Sequence, residues 1–258
     1  CEDRKKYAEE LATAYGWPTG NWNVSQVTDF SNVFHVMFHF NEDISNWDVL
    51  NGTIFFCMFC GAESFNQEIG RWNVSSGTSF LGMFEEAKCF NQDIGRWNVS
   101  RGTLFAYMFG GAKSFNQDIG SWNTSNVVDT SGMFREASAF NHDIDSWSMS
   151  QNTNMSYMFA GATSFNQYIG SWDVSRVTSM ASMFKDAVTY NQDISTWDTS
   201  SVTSMVSMFK EAISFNQPLD QWNTSKVTSM QSMFNNAQSF NQDISFWNVI
   251  NVTNMNTM

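Results

Sequence analysis

The chain is poor in charge, in histidine and in long apolar runs. Only 15% of its 258 residues are charged, against roughly 25% in an average globular protein. The net charge is −12 and the pI is near 4.5, which argues against nucleic acid and anionic membrane surfaces as partners. No run of about 18 apolar residues occurs, so no transmembrane segment is expected.

Groups for catalysis and for cross-linking are also scarce. The chain has three histidines and four cysteines, and four cysteines are too few to define a disulfide framework or a redox compartment. No nucleophile–base pair, phosphate-binding loop or isolated pair of carboxylates stands out. The sequence therefore favours a protein that is not an enzyme.

Aromatic residues, by contrast, are abundant and recur every 25 positions. Ten tryptophans, from Trp22 to Trp247, follow one another at this spacing without insertion or deletion. Further columns share the period: Phe34 to Phe234, Asn41 to Asn241, Ile44 to Ile244 with Leu219 as the one exchange, and Ala62 to Ala237. A 25-residue unit cannot enclose a core alone, whereas stacked units bury their apolar columns against each other. The pattern predicts a repeat solenoid of about ten coils over residues 21–258, with the last coil incomplete.

Each coil combines two kinds of local pattern. Trp197-Asp198-Thr199 alternates apolar and polar residues, which predicts a short parallel strand. A helical turn is predicted further along, because apolar residues recur there at i, i+3, i+4 and i+7: Met205, Met208, Phe209 and Ala212. Residues 1–20 lie outside the repeat and are predicted to form an N-terminal capping helix, which Gly16 and Pro18 end.

Two segments resemble a known family of surface proteins. The stretches are YNQDISTWDTSSVTSMVSMFKEAISFNQ (Tyr190 to Gln217) and AYGWPTGNWNVSQVTDFSNVF (Ala14 to Phe34). They look like the repeats of the BspA-like leucine-rich-repeat family of bacterial surface proteins. The resemblance implies a leucine-rich-repeat-like solenoid at the cell surface or outside the cell, used for adhesion or protein interaction, with no catalytic residues to carry over. Gly52, Gly77 and Gly102 depart from the Val of that pattern, and Thr130 departs from its Met.

Most repeated polar and aromatic residues are predicted to be structural. The asparagine column is interpreted as a ladder whose amides satisfy backbone groups in a turn. The representative ladder residues are Asn66, Asn91, Asn116, Asn166 and Asn191, with Trp97, Trp122 and Trp172 in the core.

Two kinds of metal site are compatible with the sequence. Carboxylates in one column, including Asp93, Asp118 and Asp143, could bind calcium between coils or could cap backbone N–H groups. His35, His39, Cys57 and Cys60 lie in neighbouring coils and could together bind zinc. Cys89 suits either a disulfide with Cys60 or burial as a free thiol.

Two exposed columns suggest other surface roles. N-linked glycosylation is predicted at Asn-x-Ser/Thr sequons, which lie at Asn23, Asn51, Asn73, Asn98, Asn123, Asn154, Asn223 and Asn251. The repeat itself also produces Trp-Asn-x-Ser, so the sequons have a structural explanation as well. A column of threonines runs from Thr28 to Thr253 and suggests an ice-binding face, although the threonines form a single row rather than a paired one.

These observations leave three functions open. The first is a non-catalytic adhesive or protein-interaction array that meets proteins or glycans at a cell surface. The second is a subunit of a glycosylated extracellular fibril that binds copies of itself, because no second cap follows the last coil. The third is a calcium-dependent or ice-binding surface. Besides calcium and N-linked glycans, no cofactor is expected.

Overall fold

A computed structural model of the protein describes residues 18–258. Within this range the helical structure is one 3-10 turn, Thr19–Asn21. Single parallel β-bridges join each coil to the next in a continuous series from Asp29 to Asn254, each partner 25 residues after the last. The coil is therefore the 25-residue unit, and the predicted repeat solenoid is confirmed. The helix predicted over residues 1–20 falls almost entirely outside the described residues.

The helical turns predicted within the coils are wrong. Backbone N–H groups there bond alternately within a coil and between coils: Met208 donates to the carbonyl of Met205 (3.2 Å), whereas Phe209 donates to that of Met233 (2.9 Å) in the next coil. Ser207 (φ 54°) and Glu211 (φ 59°) adopt left-handed backbone, which a right-handed α-helix does not contain. This path buries the same apolar positions as a helix would, but every second N–H is bonded to the neighbouring coil.

No strand forms at Trp197-Asp198-Thr199, where one was predicted. Parallel pairing occurs instead at a single residue per coil, Ser204 in this coil, which bridges Ser179 and Ser229. Each coil therefore contributes one bridge position and a series of tight turns.

The interior consists of stacked aromatic columns. Rings in successive coils are nearly parallel, as for Phe59 and Phe84, whose centroids are 5.5 Å apart. Phe59 also stacks on Phe65 of its own coil at 4.0 Å. Full burial of one such side chain contributes roughly 1.5–3 kcal/mol, so these columns are the main source of stability.

Candidate functional site

The predicted ladder residues are bonded within the fold. The Asn66 side-chain oxygen accepts hydrogen bonds from the Asn91 backbone N–H and from the Gln92 amide, both at 2.9 Å. The oxygens of Asn91, Asn116, Asn166 and Asn191 each accept from the backbone N–H 25 residues later. The column indoles donate to carbonyls 28 residues earlier, as shown by Trp97, Trp122 and Trp172. These side chains position the coils and offer little to a ligand.

The acidic column caps its own turns. Asp93 and Asp118 each accept a backbone N–H two residues later at 3.0 Å, and Asp143 does so at 2.9 Å. In the same column, hydrogen bonds from Ser195 lower the pKa of the Asp193 carboxyl. Calcium binding stays a prediction, and among the described residues no three of these carboxylates converge within 4.8 Å of one another.

Half of the predicted zinc ligands are brought together. The thiols of Cys57 and Cys60 lie with a carboxylate oxygen of Glu85, all within 4.8 Å of one another, and this cluster contains neither His35 nor the exposed His39. Glu85 was missed by the sequence analysis, although it lies 25 residues after Cys60 and therefore shares its column.

The three groups of this cluster affect one another. The hydrogen bond between the two thiols lowers the pKa of Cys57 and raises that of Cys60. Burial raises the pKa of the Glu85 carboxyl. Cys89 is free and exposed, so both the disulfide with Cys60 and the burial expected for it are wrong.

The predicted glycosylation sites lie mainly on the surface. Seven of the sequon asparagines are exposed and Asn154 is half-buried. Asn51 and Asn251 donate their side-chain amides to carbonyls of the preceding coil, at 2.8 and 2.7 Å. Glycosylation of those two residues would have to compete with these bonds, and modification of all eight stays a prediction.

The threonine column is bonded internally. The Thr103 hydroxyl donates to the carbonyl of Thr78 at 3.2 Å, and that of Thr203 donates to Thr178 at 3.0 Å. The hydroxyl hydrogens therefore serve contacts between coils, while ice binding stays untested.

One surface of the stack differs from coil to coil and combines exposed with buried positions. It follows the two columns of left-handed residues, Asn32 to Thr257 and Val36 to Asn236, and is termed here the tight-turn face. In the first column Tyr107 and Tyr157 alternate with Gly82 and Gly132. A Cβ atom at Gly132 would lie 2.3 Å from the Tyr107 ring, so the glycine lets this ring lie across the neighbouring coil.

A groove of about 410 Å³ lies on the tight-turn face. Tyr107 and Tyr157 line it together with charged side chains of both signs, namely Arg135, Glu136, Lys185 and Asp186. The Tyr157 side chain is 41% exposed. Aromatic and cationic groups around a recess are suited to contact with a partner.

A second groove lies at a different turn of the coils. It encloses about 370 Å³ and is lined by carboxylates and guanidinium groups of adjacent coils, Glu68, Arg71, Asp93 and Arg96. Its lining contains no aromatic side chain, unlike that of the groove on the tight-turn face.

Comparison with solved structures gives only distant likenesses. An internalin from Listeria monocytogenes str. 4b F2365 is 9% identical, with 82% of this chain and 74% of that chain covered and a TM-score of 0.25. TLR13 in its complex with ssRNA13 is 11% identical, with 75% of this chain and 35% of that chain covered, also at 0.25. Scores this low carry no argument about fold or function. No curated protein matches the sequence.

A family match covers nearly the whole chain. Three overlapping segments, residues 10–103, 72–170 and 153–258, match one family, which agrees with tandem repetition of a single unit. The match does not test the narrower resemblance to BspA-like proteins, which stays a prediction. Over residues 18–258 no helix is long and apolar enough to cross a membrane. The chain belongs to the family described as "Mycoplasma protein of unknown function, DUF285".

Proposed function

We propose that the protein is a non-catalytic interaction array that binds a protein partner through the tight-turn face. The observation that carries this proposal is the groove between Tyr107 and Tyr157, with Arg135 and Lys185 in its lining. Tyrosine and arginine are over-represented among the residues that dominate protein–protein binding energy. The columns that build the fold leave this face free to vary.

The charges of the groove favour a protein over a simple polyanion. Arg135 forms an ion pair with Glu136 at 2.9 Å, and Lys185 forms one with Asp186 at 3.1 Å. Each pair joins adjacent residues at the exposed rim, so both signs are presented at once. A partner with mixed charge around an apolar contact matches this pattern.

The proposal extends to the location of the protein. We place it at the cell surface or outside the cell as an adhesive array, because the repeats resemble those of bacterial surface proteins. A rigid stack of coils presents exposed residues at a constant spacing, which suits several weak contacts acting together. Proteins are the primary partners in this proposal, and surface glycans are a secondary class.

A pair of variants tests the groove. The chain is immobilised and exposed to surface proteins of candidate host cells, and retained proteins are quantified by mass spectrometry. The double variant Tyr107→Ala/Tyr157→Ala should lose specific partners by at least ~30-fold, the equivalent of one hot-spot residue at about 2 kcal/mol. The control is Tyr168→Ala, since Tyr168 is 45% exposed and lies outside the groove lining.

Circular dichroism establishes that each variant is folded before binding is compared. Partners retained equally by the wild type and by the double variant would place the binding surface elsewhere. Sedimentation velocity of the wild-type chain shows in the same series whether the partner is a second copy.

A further inference from the structure

The Cys57–Cys60–Glu85 cluster joins two adjacent coils on the tight-turn face. The two cysteines are three residues apart, and the Cys60 N–H donates to the Cys57 carbonyl at 3.2 Å. Glu85 occupies the column of Cys60 one coil later, with its Oε2 3.9 Å from the Cys60 Sγ. Three potential ligand atoms from two coils thus lie within 4.8 Å of one another.

Gly82 keeps the space beside these ligands open. A Cβ atom at this position would lie 2.9 Å from the Cys57 Sγ and 3.3 Å from Glu85 Oε2. The positive φ of Gly82 does not by itself demand glycine, because Tyr107, Tyr157 and Ser207 adopt the same conformation in the same column. The absence of a side chain therefore leaves room where Cys57 and Glu85 face each other.

We propose that Cys57, Cys60 and Glu85 bind a divalent cation of the zinc class. Thiolates select zinc over calcium and magnesium, which prefer oxygen ligands alone. In a tetrahedral site, Zn–S bonds of about 2.3 Å and Zn–O bonds of about 2.0–2.2 Å place ligand atoms roughly 3.5–3.8 Å apart. The separation of 3.9 Å between Cys60 and Glu85 is close to this value. The Cys57 Sγ lies within 4.8 Å of both of these atoms.

The site leaves one coordination position open. Cys57 is buried, while Cys60 and Glu85 are half-buried, so solvent reaches part of the cluster, and water or a ligand atom of a partner can take the fourth position. The cation links neighbouring coils, and because it binds the folded chain it also stabilises it.

Cobalt serves as the spectroscopic probe. Co²⁺ is titrated into the reduced, metal-free chain carrying Cys1→Ser and Cys89→Ser, and thiolate-to-cobalt charge transfer is followed in the near ultraviolet. We expect one equivalent to bind, Zn²⁺ to displace it, and Zn²⁺ to raise the melting temperature. Cys57→Ser and Cys60→Ser should each abolish the signal.

Matched carboxylate variants assign the third ligand. Glu85→Gln should weaken binding by at least the ~10–100-fold that loss of an outer-shell partner costs in other metal sites, whereas Glu86→Gln should leave it unchanged. Circular dichroism verifies that every variant is folded.

Three results would overturn the proposal: no stoichiometric charge-transfer signal, an undiminished signal in either serine variant, or equal effects of the two glutamine variants. The proposal is also wrong if Cys57 and Cys60 form a disulfide and the chain binds no metal after that disulfide is reduced. The two cysteines would then be a redox pair.

Discussion

At the scale of single residues, Tyr190 is the exception in a second phenylalanine column, which runs from Phe40 to Phe240 and directly precedes the asparagine column. Its ring stacks between Phe165 (5.8 Å) and Phe215 (6.2 Å) like the phenylalanines it replaces. Its hydroxyl is buried and, alone among the buried side-chain N and O atoms of the described residues, has no hydrogen-bond partner. Burial raises the pKa of this phenol far above its ordinary value, so the group stays neutral. A buried hydroxyl without a partner costs stability.

Replacing the phenol by phenylalanine should therefore stabilise the protein. We expect Tyr190→Phe to raise the free energy of unfolding by about 1–3 kcal/mol, measured by urea denaturation. The reciprocal variant Phe165→Tyr should lower it, because it adds a hydroxyl to a fully buried position one coil earlier. An unchanged stability for Tyr190→Phe would mean that the phenol is hydrogen-bonded in solution.

At the scale of the coil, the sequence predicts burial better than backbone path. The inward positions Met205, Met208, Phe209 and Ala212 are all buried, as their spacing indicates. That spacing cannot distinguish a helix from tight turns that bury the same positions. Ser207 and Glu211 adopt left-handed backbone although neither residue type signals it. The deciding factor is the neighbouring coil, which accepts every second N–H, and that contact is not local in sequence.

The candidate metal cluster shows the same limit. The Cys57–Cys60 spacing is visible in the sequence, and the 25-residue period is sufficient to align Glu85 with Cys60. The period does not say which side chains in a column turn towards each other. His35 shares the column and was therefore predicted as a zinc ligand, whereas the residue beside the two thiols is Glu85. The groove depends in turn on Gly132, whose effect on Tyr107 is apparent only once the coils are stacked.

Strain at the left-handed positions is testable within one coil. A left-handed L-residue costs roughly 1–2 kcal/mol, whereas glycine at an ordinary position costs roughly 0.5–1 kcal/mol in chain entropy. Ser207→Gly should therefore be neutral or stabilising. Ser204→Gly, at the bridge position three residues earlier, should be destabilising. Thermal unfolding of the two variants measures the difference, and equal losses would refute the role assigned to the left-handed turn.

At the scale of the whole molecule, stability comes from contacts between neighbouring coils. Every bridge joins residues 25 positions apart, and the aromatic stacks connect each coil to the next. Such a stack behaves as a one-dimensional array, in which stability is approximately a sum of coil terms and interface terms. Removal of a whole coil gives its two former neighbours equivalent column residues to pack against, provided that every column keeps its register.

Paired deletions therefore test the 25-residue coil most directly. Removal of residues 197–221, which lie beyond the groove and the metal cluster, joins Thr196 to Trp222 and restores all columns. We predict that this chain unfolds cooperatively in urea, with a denaturant dependence lower by about a tenth, in proportion to the surface lost. Removal of residues 197–220 shifts every later column by one position and should abolish cooperative unfolding of the coils that follow. Equal stability of the two deletion variants would contradict the account.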